Sequence, residues 1–131
     1  MLEAMLTFLR RTRLATIVAT LVVLAALLWP GEDLPKVGLA GLDKAAHLLL
    51  FGAWALALRF DWPGLRARPW LLVLAVALFA PLTEGLQLLA PQRSFDLLDA
   101  AADLCGAVLA AAFGARPVAL AERLLSPRKA R

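Results

Sequence analysis

The sequence predicts an all-α fold, an integral membrane bundle of four transmembrane helices with both termini in the cytoplasm. Two observations lead to this prediction. First, 62% of the 131 residues are hydrophobic and only 18% are charged, whereas soluble domains are about 45–50% apolar. Second, four apolar runs are separated by proline, glycine and charged residues, and a helical span needs about 20 apolar residues. A chain of this length leaves no room for a second domain, so residues 1–131 are predicted to form a single membrane domain.

The four spans are predicted at about residues 14–29, 45–60, 69–90 and 97–115. The first two are short, so each is expected to extend into its polar flank, with Arg13 and Arg59 reaching along the helix to the membrane surface. The first span follows the basic segment "RRTR", as in a signal peptide, but no small-x-small cleavage pattern follows it, which predicts a retained helix. The tail is predicted to be either a short amphipathic surface helix or a solvated terminus.

The distribution of basic residues predicts the orientation. Eleven of the 14 Lys and Arg residues lie in the amino-terminal flank, around the second connection and in the tail, and three lie in the first and third connections. The excess of positive charge on cytoplasmic segments therefore predicts that both termini are cytoplasmic. Because the basic residues flank apolar segments rather than cluster on a polar face, the net charge of +4 does not indicate a nucleic-acid partner.

Acidic residues concentrate on the opposite, outer half of the predicted bundle. Their spacing of three or four residues, together with a histidine and a glutamine, places each set on one helix face. The set is Asp43, His47, Glu84, Gln87, Asp96, Asp99 and Asp103. At about 1.5 Å per residue, His47, Glu84 and Asp103 reach similar depths in three different spans. Polar groups at that depth should face the bundle interior, so we expect one acid-rich cavity open to the outside.

Charge within this predicted cavity does not balance. Five acids face only Lys44 and Arg93, so some carboxyl groups must be protonated or a cation must be supplied. His47, Glu84 and Asp103 are candidate ligands for a divalent cation, through mixed nitrogen and oxygen donors. His47, Glu84 and Asp99 are the candidate catalytic residues, with His47 as a general base. No dense ligand motif such as His-Glu-x-x-His is present, so the cation is one alternative and no cofactor is required by sequence.

Four glycines lie within or beside the spans. Gly52, Gly85, Gly106 and Gly114 are expected to be close-packing positions, because small residues let membrane helices approach one another.

Three segments of the chain resemble the signature of the VanZ-like family, small bacterial membrane proteins named for a protein linked to teicoplanin resistance. The segments are "DKAAHLLLF" from Asp43, "EGLQ" from Glu84, and "PQRSFDLLDAAADLCG" from Pro91. The resemblance covers residues 42–114 with order and spacing intact. One departure is Asp103, where the family usually has asparagine, so this pocket is more acidic than is usual in the family, or Asp103 is protonated.

The resemblance implies a multi-pass protein of the bacterial cytoplasmic membrane with a role in the cell envelope or in antibiotic resistance. Its matching residues predict a binding pocket formed by Asp43, Lys44, His47, Glu84, Gln87, Arg93, Asp96, Asp99 and Asp103. The expected partners are membrane lipid and a lipid headgroup, a lipid-linked cell-wall precursor or a glycopeptide-type amphiphile that binds in this pocket. Three alternatives stay open: a metal- or acid/base-assisted hydrolase of a lipid-linked substrate, a structural scaffold, and a proton or ion pathway. The sequence leaves enzymatic activity and the number of subunits open.

Overall fold

The computed structural model describes residues 4, 7–8, 12–29, 41–91 and 96–125, and within these residues all regular structure is helical. This confirms the predicted all-α class. The helices are α1 (Leu14–Leu27), α2 (Leu42–Asp61), a short 3₁₀ turn (Pro63–Leu65), α3 (Trp70–Gln87), α4 (Leu97–Phe113) and α5 (Ala115–Leu125). The last of these occupies the tail, where the sequence left a surface helix and a solvated terminus as alternatives.

The observed helices differ from the predicted spans mainly at their ends. Helix α2 begins three residues earlier than predicted, so Asp43 lies in its first turn, where a negative charge interacts favourably with the helix dipole. Helix α3 ends at Gln87, and the chain continues in hydrogen-bonded turns to Ala90. Helix α4 ends at Phe113, and the chain bends by 64° beside Gly114 before α5 begins.

Length and composition identify few of these helices as membrane spans by themselves. Helix α3 is long and apolar enough to cross a membrane, with a mean hydropathy of 1.6, and α4 and α5 meet the same test when taken together as a bent pair. Helix α1 is apolar but has only 14 residues. Helix α2 has 20 residues but carries Asp43, Lys44, Arg59 and Asp61 at its ends. The described residues therefore contain one or two candidate spans by this criterion.

Helix α2 is the central element, since it contacts α1, α3 and α4. Its apolar face buries Phe51 and Trp54 against Val76 and Ala80 of α3 and Ala107 of α4. The ring of Trp54 stacks on Phe79 with a centroid distance of 4.6 Å. Its indole N–H donates to Thr20 Oγ1 at 2.8 Å, which ties α1 to the same core.

Helices α2 and α4 make backbone contact at two glycines. A Cβ added to Gly106 would lie 2.3 Å from the carbonyl oxygen of Leu48 and 2.8 Å from the backbone nitrogen of Gly52, so only glycine fits there. A Cβ at Gly52 would come no closer than 3.5 Å to its neighbours, which is an ordinary contact. Gly85 differs from the other predicted packing positions, because it is exposed and a Cβ there would meet nothing within 4 Å.

The other end of the bundle, away from His47, is held by charged groups. Arg59 is buried and donates through Nη1 to the carbonyl oxygens of Ala110 and Ala111, at 3.0 and 2.8 Å. It therefore does not reach along the helix to the surface as the sequence predicted. The reason is that carbonyl groups in the last turn of a helix have incomplete hydrogen bonding and attract a cation. Arg66 binds Glu122 at 2.5 Å, which connects the segment after α2 to α5.

The glycine contact predicts that alanine substitutions at Gly106, Gly52 and Gly85 will differ in their effect on stability. Gly106→Ala should force α2 and α4 apart and lower the free energy of unfolding by about 1–3 kcal/mol or more, the usual cost of overpacking. Gly52→Ala should change it little, because the added methyl group meets no close neighbour. Unfolding of the purified protein in mild detergent measures the difference.

Gly85→Ala is the matched control for this prediction. It should leave stability unchanged or raise it by about 0.5–1 kcal/mol, since alanine is favoured over glycine within a helix. Equal stability of Gly106→Ala and Gly85→Ala would contradict the assigned close contact.

Candidate functional site

Three helices bring one histidine and three carboxylates together. His47 comes from α2, Glu84 from α3, and Asp99 and Asp103 from α4. All four are buried, with His47 1% exposed, Asp99 5% exposed and the two others fully enclosed. We call these four residues the His47 cluster.

The imidazole of His47 lies between the carboxylates. Its Nδ1 atom is 3.0 Å from Asp103 Oδ1 and 3.9 Å from Glu84 Oε1. Its Nε2 atom is 3.8 Å from Asp99 Oδ2. The ring of Phe51, one turn along α2, lies parallel to the imidazole with a centroid distance of 6.5 Å. The imidazole therefore makes a hydrogen-bond contact with Asp103, faces Asp99 at a longer distance on its other side, and lies parallel to an aromatic ring towards the apolar core.

Lys44 forms the solvent-facing rim of the cluster. Its Nζ atom donates to Asp96 Oδ2 and Asp99 Oδ1, both at 2.9 Å. The side chains of Lys44 and Asp96 are 32% and 40% exposed, in contrast to the enclosed carboxylates behind them. Access from solvent to Asp99 therefore runs past the Lys44 ammonium group.

Asp96 connects the start of α4 to the two other helices. Its Oδ1 atom accepts a hydrogen bond from the backbone N–H of Leu98 at 2.8 Å, which caps the amino terminus of α4. Its own backbone N–H donates to Glu84 Oε2 at 3.1 Å. Both the Lys44 ammonium group and the Leu98 N–H favour the ionised carboxylate, so the pKa of Asp96 lies below its ordinary value of 3.8.

Gln87 lies one turn after Glu84 and is also buried. Its amide nitrogen lies 3.4 Å from the carbonyl oxygen of Leu27. With the amide turned over, the nitrogen lies 3.3 Å from both carboxylate oxygens of Glu84. The Gln87 amide therefore donates to the end of α1 in one orientation and to Glu84 in the other.

Most of the residues predicted to form the pocket lie together. His47, Glu84, Gln87, Asp99 and Asp103 are buried side by side, and Lys44 and Asp96 lie at their edge. Asp43 lies on the exposed first turn of α2, and Arg93 is outside the described residues. The sequence predicted an open cavity, but the central side chains are enclosed, with α2 and α4 in backbone contact at Gly106 beside them.

Two sets of donor atoms in this region are close enough to hold a metal ion. One set contains His47, Glu84 and Asp103, and the other contains Asp43, His47 and Asp99; within each set the donor atoms lie within 4.8 Å of one another. Metal–ligand distances of about 2.0–2.2 Å place neighbouring ligands of a tetrahedral ion roughly 3.3–3.6 Å apart. The observed separations of 3.0 and 3.9 Å around Nδ1 of His47 bracket that range.

Asp103 also has an unused acceptor. Its Oδ2 atom is buried and has no hydrogen-bond partner among the described residues. A buried carboxylate oxygen without a partner is costly, and an ion or a proton near it would remove that cost. Among the residues that the structure describes, the three enclosed carboxylates also exceed the charge that one imidazole and Lys44 supply, which favours added protons or a cation in the cluster.

Two buried charged residues were not recognised as such from the sequence. Asp61 is fully buried at the end of α2 and accepts hydrogen bonds from the backbone N–H and hydroxyl group of Thr16, at 2.7 and 2.8 Å. Arg59 is buried beside α4. The only sequence signal was an arginine and an aspartate two positions apart at the end of an apolar run, which is also typical of residues at a membrane surface.

The chain was compared with protein-family models, curated proteins and solved structures, and none of the three comparisons gives a match. The VanZ-like resemblance therefore depends on its three motifs.

The lowered pKa of Asp96 predicts how acid affects stability. Because the folded-state pKa lies below 3.8, the stabilisation by Asp96 is present above that pH and is lost as the pH falls through the folded-state value. Wild-type protein should therefore lose more stability between pH 5 and pH 2 than Asp96→Asn does. Thermal unfolding of both proteins in detergent across this range measures the difference.

Lys44→Gln provides the control for the cause of the shift. Since the Lys44 ammonium group is the largest contributor, this variant should lose most of the same acid-dependent component. Parallel stability curves for wild type and Asp96→Asn would contradict the assigned contact.

Proposed function

We propose that the protein is a multi-pass, VanZ-like protein of the bacterial cytoplasmic membrane, with four spans. In this proposal the His47 cluster lies near the outer surface, binds a divalent cation, and together with Lys44 recognises the polar headgroup of an envelope amphiphile. A lipid headgroup, a lipid-linked cell-wall precursor and a glycopeptide-type antibiotic are the candidate ligands.

The distribution of polar and apolar side chains supports a membrane setting. His47, Glu84 and Gln87 are among the largest fully buried side chains, while Leu49 and Leu82 are 67% and 65% exposed. In a soluble protein large apolar side chains are favoured inside and carboxylates outside. Exposed apolar residues on α2, α3 and α4 would contact lipid tails without cost, and the buried polar residues would avoid them.

Helix lengths also fit a bilayer. At 1.5 Å per residue, α2, α3 and α4 are roughly 26–30 Å long, close to the 27–33 Å hydrocarbon core of biological membranes. Trp29, Trp62 and Trp70 are exposed beside helix ends, where aromatic residues mark the membrane surface. Helix α1 is shorter, at about 21 Å.

The convergence of three carboxylates on one buried imidazole is the observation that supports a binding site most strongly. Polar contacts between membrane helices contribute only about 0.6 kcal/mol on average. That contribution is small compared with the cost of burying Glu84, Asp99 and Asp103 in one place. A bound cation would neutralise the excess charge and engage the free Oδ2 atom of Asp103. The mixed imidazole and carboxylate donors suit zinc or manganese better than an all-oxygen ion such as calcium.

The rim supports recognition of a negatively charged headgroup. Lys44 is partly exposed and presents an ammonium group in front of the buried carboxylates. An ammonium group binds phosphate oxygens through charge-assisted hydrogen bonds. A phosphate-containing ligand would therefore contact Lys44 on one side and a cation in the cluster on the other.

Hydrolysis of a lipid-linked phosphate or ester is the second candidate function. It is favoured by the 3.0 Å contact between His47 Nδ1 and Asp103 Oδ1, since a carboxylate at one ring nitrogen orients the other nitrogen for general base catalysis. In this alternative a bound cation would polarise the substrate oxygen with His47 as one of its ligands, or, without a cation, His47 would activate water as a general base.

The proposed cation site predicts stoichiometric binding. Purified protein stripped with a chelator should bind one Zn²⁺ or Mn²⁺ per chain, as measured by calorimetry and elemental analysis. His47→Ala and Asp103→Asn should each weaken binding by more than the roughly 10–100-fold that follows loss of an outer-shell partner. Glu122→Gln, which removes an acid from the opposite end, should bind as wild type does.

Two further outcomes separate the alternatives. Release of phosphate from a lipid-linked diphosphate by the loaded protein, absent in Glu84→Gln, would support hydrolysis over recognition alone. Absence of binding by wild type, with normal folding of Glu84→Gln and Asp99→Asn, would support the structural scaffold and contradict the proposed site.

The proposed orientation predicts labelling from opposite sides of the membrane. Cys105 is the single cysteine of the chain and is first replaced by alanine. In that background, Pro91→Cys should react with an impermeant maleimide on intact cells. Gly64→Cys, where the added side chain meets nothing within 4 Å, should react only after the membrane is permeabilised. The reverse pattern would place the His47 cluster on the cytoplasmic side.

A further inference from the structure

A cavity of about 590 Å³ lies at the end of the bundle opposite the His47 cluster. It is bounded by Arg13 at the start of α1 and by the segment from Trp62 to Leu71 that joins α2 to α3. Its walls combine two arginines, Arg13 and Arg68, with the ring of Trp62 and apolar side chains. We call it the arginine cavity.

Arg13 is held in an unusual conformation at the edge of this cavity. Its φ angle of 54° is the only positive value among the described residues other than glycine. Its guanidinium group donates to the carbonyl oxygen of Asp61 and lies 4.0 Å from the centre of the Trp62 ring. A left-handed conformation in a residue other than glycine or asparagine is unfavourable and is typical of functional sites.

The two arginines have no carboxylate partner among the described residues. Asp61, the nearest acid on α2, is fully buried, and one of its oxygens accepts both hydrogen bonds from Thr16. The guanidinium group of Arg68 makes no hydrogen bond to any described residue. Among the residues that the structure describes, neither guanidinium group therefore forms an ion pair with a carboxylate, and both line one cavity.

The position of the arginine cavity fits the surface of the second membrane leaflet. Eighteen residues of α2 and its end separate Lys44 from Trp62, or about 27 Å at 1.5 Å per residue. That distance is close to the thickness of a hydrocarbon core. Trp62 and Trp70 are exposed at this level, as expected for aromatic residues at a membrane surface.

We propose that the arginine cavity binds the phosphate group of an anionic membrane lipid in the leaflet opposite the His47 cluster. Arg13 and Arg68 donate to the phosphate oxygens, since guanidinium groups match phosphate geometry in pairs of hydrogen bonds. Trp62 and Leu71 contact the glycerol and the first part of the acyl chains. Basic pockets beside spans on the cytoplasmic side are typical binding sites for such headgroups. The proposal depends on the membrane setting proposed above but not on any ligand of the His47 cluster.

Lipid retained by the purified protein tests this proposal. Protein in mild detergent is mixed with phosphatidylglycerol or with zwitterionic phosphatidylcholine, and the bound lipid is counted by native mass spectrometry. Wild type should retain phosphatidylglycerol in preference to phosphatidylcholine. Arg68→Gln should weaken this retention about tenfold, the effect of losing one charge-assisted hydrogen bond. Because the Arg68 side chain makes no hydrogen bond to the described residues and its backbone hydrogen bonds do not depend on the side chain, this variant should fold normally.

Arg123→Gln is the matched control, since it removes the same charge from an exposed position on α5 that lines a different cleft. It should retain phosphatidylglycerol as wild type does. Equal loss in both variants would indicate non-specific attraction and overturn the proposal, and so would full retention in Arg68→Gln.

Glycerol 1-phosphate, which lacks acyl chains, distinguishes a lipid from a soluble phosphate. If it displaces the lipid at equal concentration, the ligand is a soluble phosphate compound and the lipid assignment is wrong. His47→Ala should retain phosphatidylglycerol fully. Loss of cation binding at the His47 cluster and loss of lipid binding at the arginine cavity are therefore separate results.

Discussion

The close approach of α2 and α4 at Gly106 is the constraint on which the rest of the structure depends. The carbonyl oxygen of Leu48 occupies the space where a side chain at Gly106 would begin, so the two backbones set each other's position directly. His47 precedes Leu48 on α2, and Asp103 precedes Gly106 by one turn on α4. Backbone packing therefore brings His47 and Asp103 to within 3.0 Å of each other. Attraction between the two side chains alone would not hold the helices together, because the cost of burying such groups can exceed their mutual attraction.

The remaining contacts turn this helix pair into a bundle with chemically different ends. Glu84 of α3 joins the pair through the backbone N–H of Asp96, and Gln87 extends the connection to α1. At the opposite end Arg59 binds α4 directly through two carbonyl oxygens. One end is thus rich in carboxylates and the other in guanidinium groups, with an aromatic and aliphatic core between them.

Much of the carboxylate end could be predicted from sequence, because the signal is local. A spacing of three or four residues fixes which side chains share a helix face, and a charged face in a lipid setting must turn inward. That reasoning grouped His47, Glu84 and Asp103 correctly in space. Sequence reasoning could not predict that these side chains would be enclosed. The packing of α2 on α4 involves a backbone contact between Leu48 and Gly106, which are 58 positions apart. Nor could sequence reasoning predict the burial of Arg59, since an arginine at a helix end fits either the membrane surface or the carbonyl groups of a neighbouring helix. The carbonyl groups that Arg59 binds belong to Ala110 and Ala111 of α4, and nothing local to Arg59 in the sequence indicates them.

The buried acid Asp61 lies at the end of the bundle opposite the His47 cluster, so it bears on whether the two ends could form one ion pathway, an alternative that the sequence left open. The core between the two ends argues against such a pathway. Between His47 and Arg59, the buried residues of α2 are Phe51, Trp54 and Ala55; Phe79 stacks on Trp54 and lies at a tilt against Phe51. Twelve residues separate His47 from Arg59, or about 18 Å along the helix, and a proton or cation crossing that distance would meet hydrocarbon at high cost. The structure thus favours two independent polar regions, one at each end of the bundle, whose ligands need not be coupled.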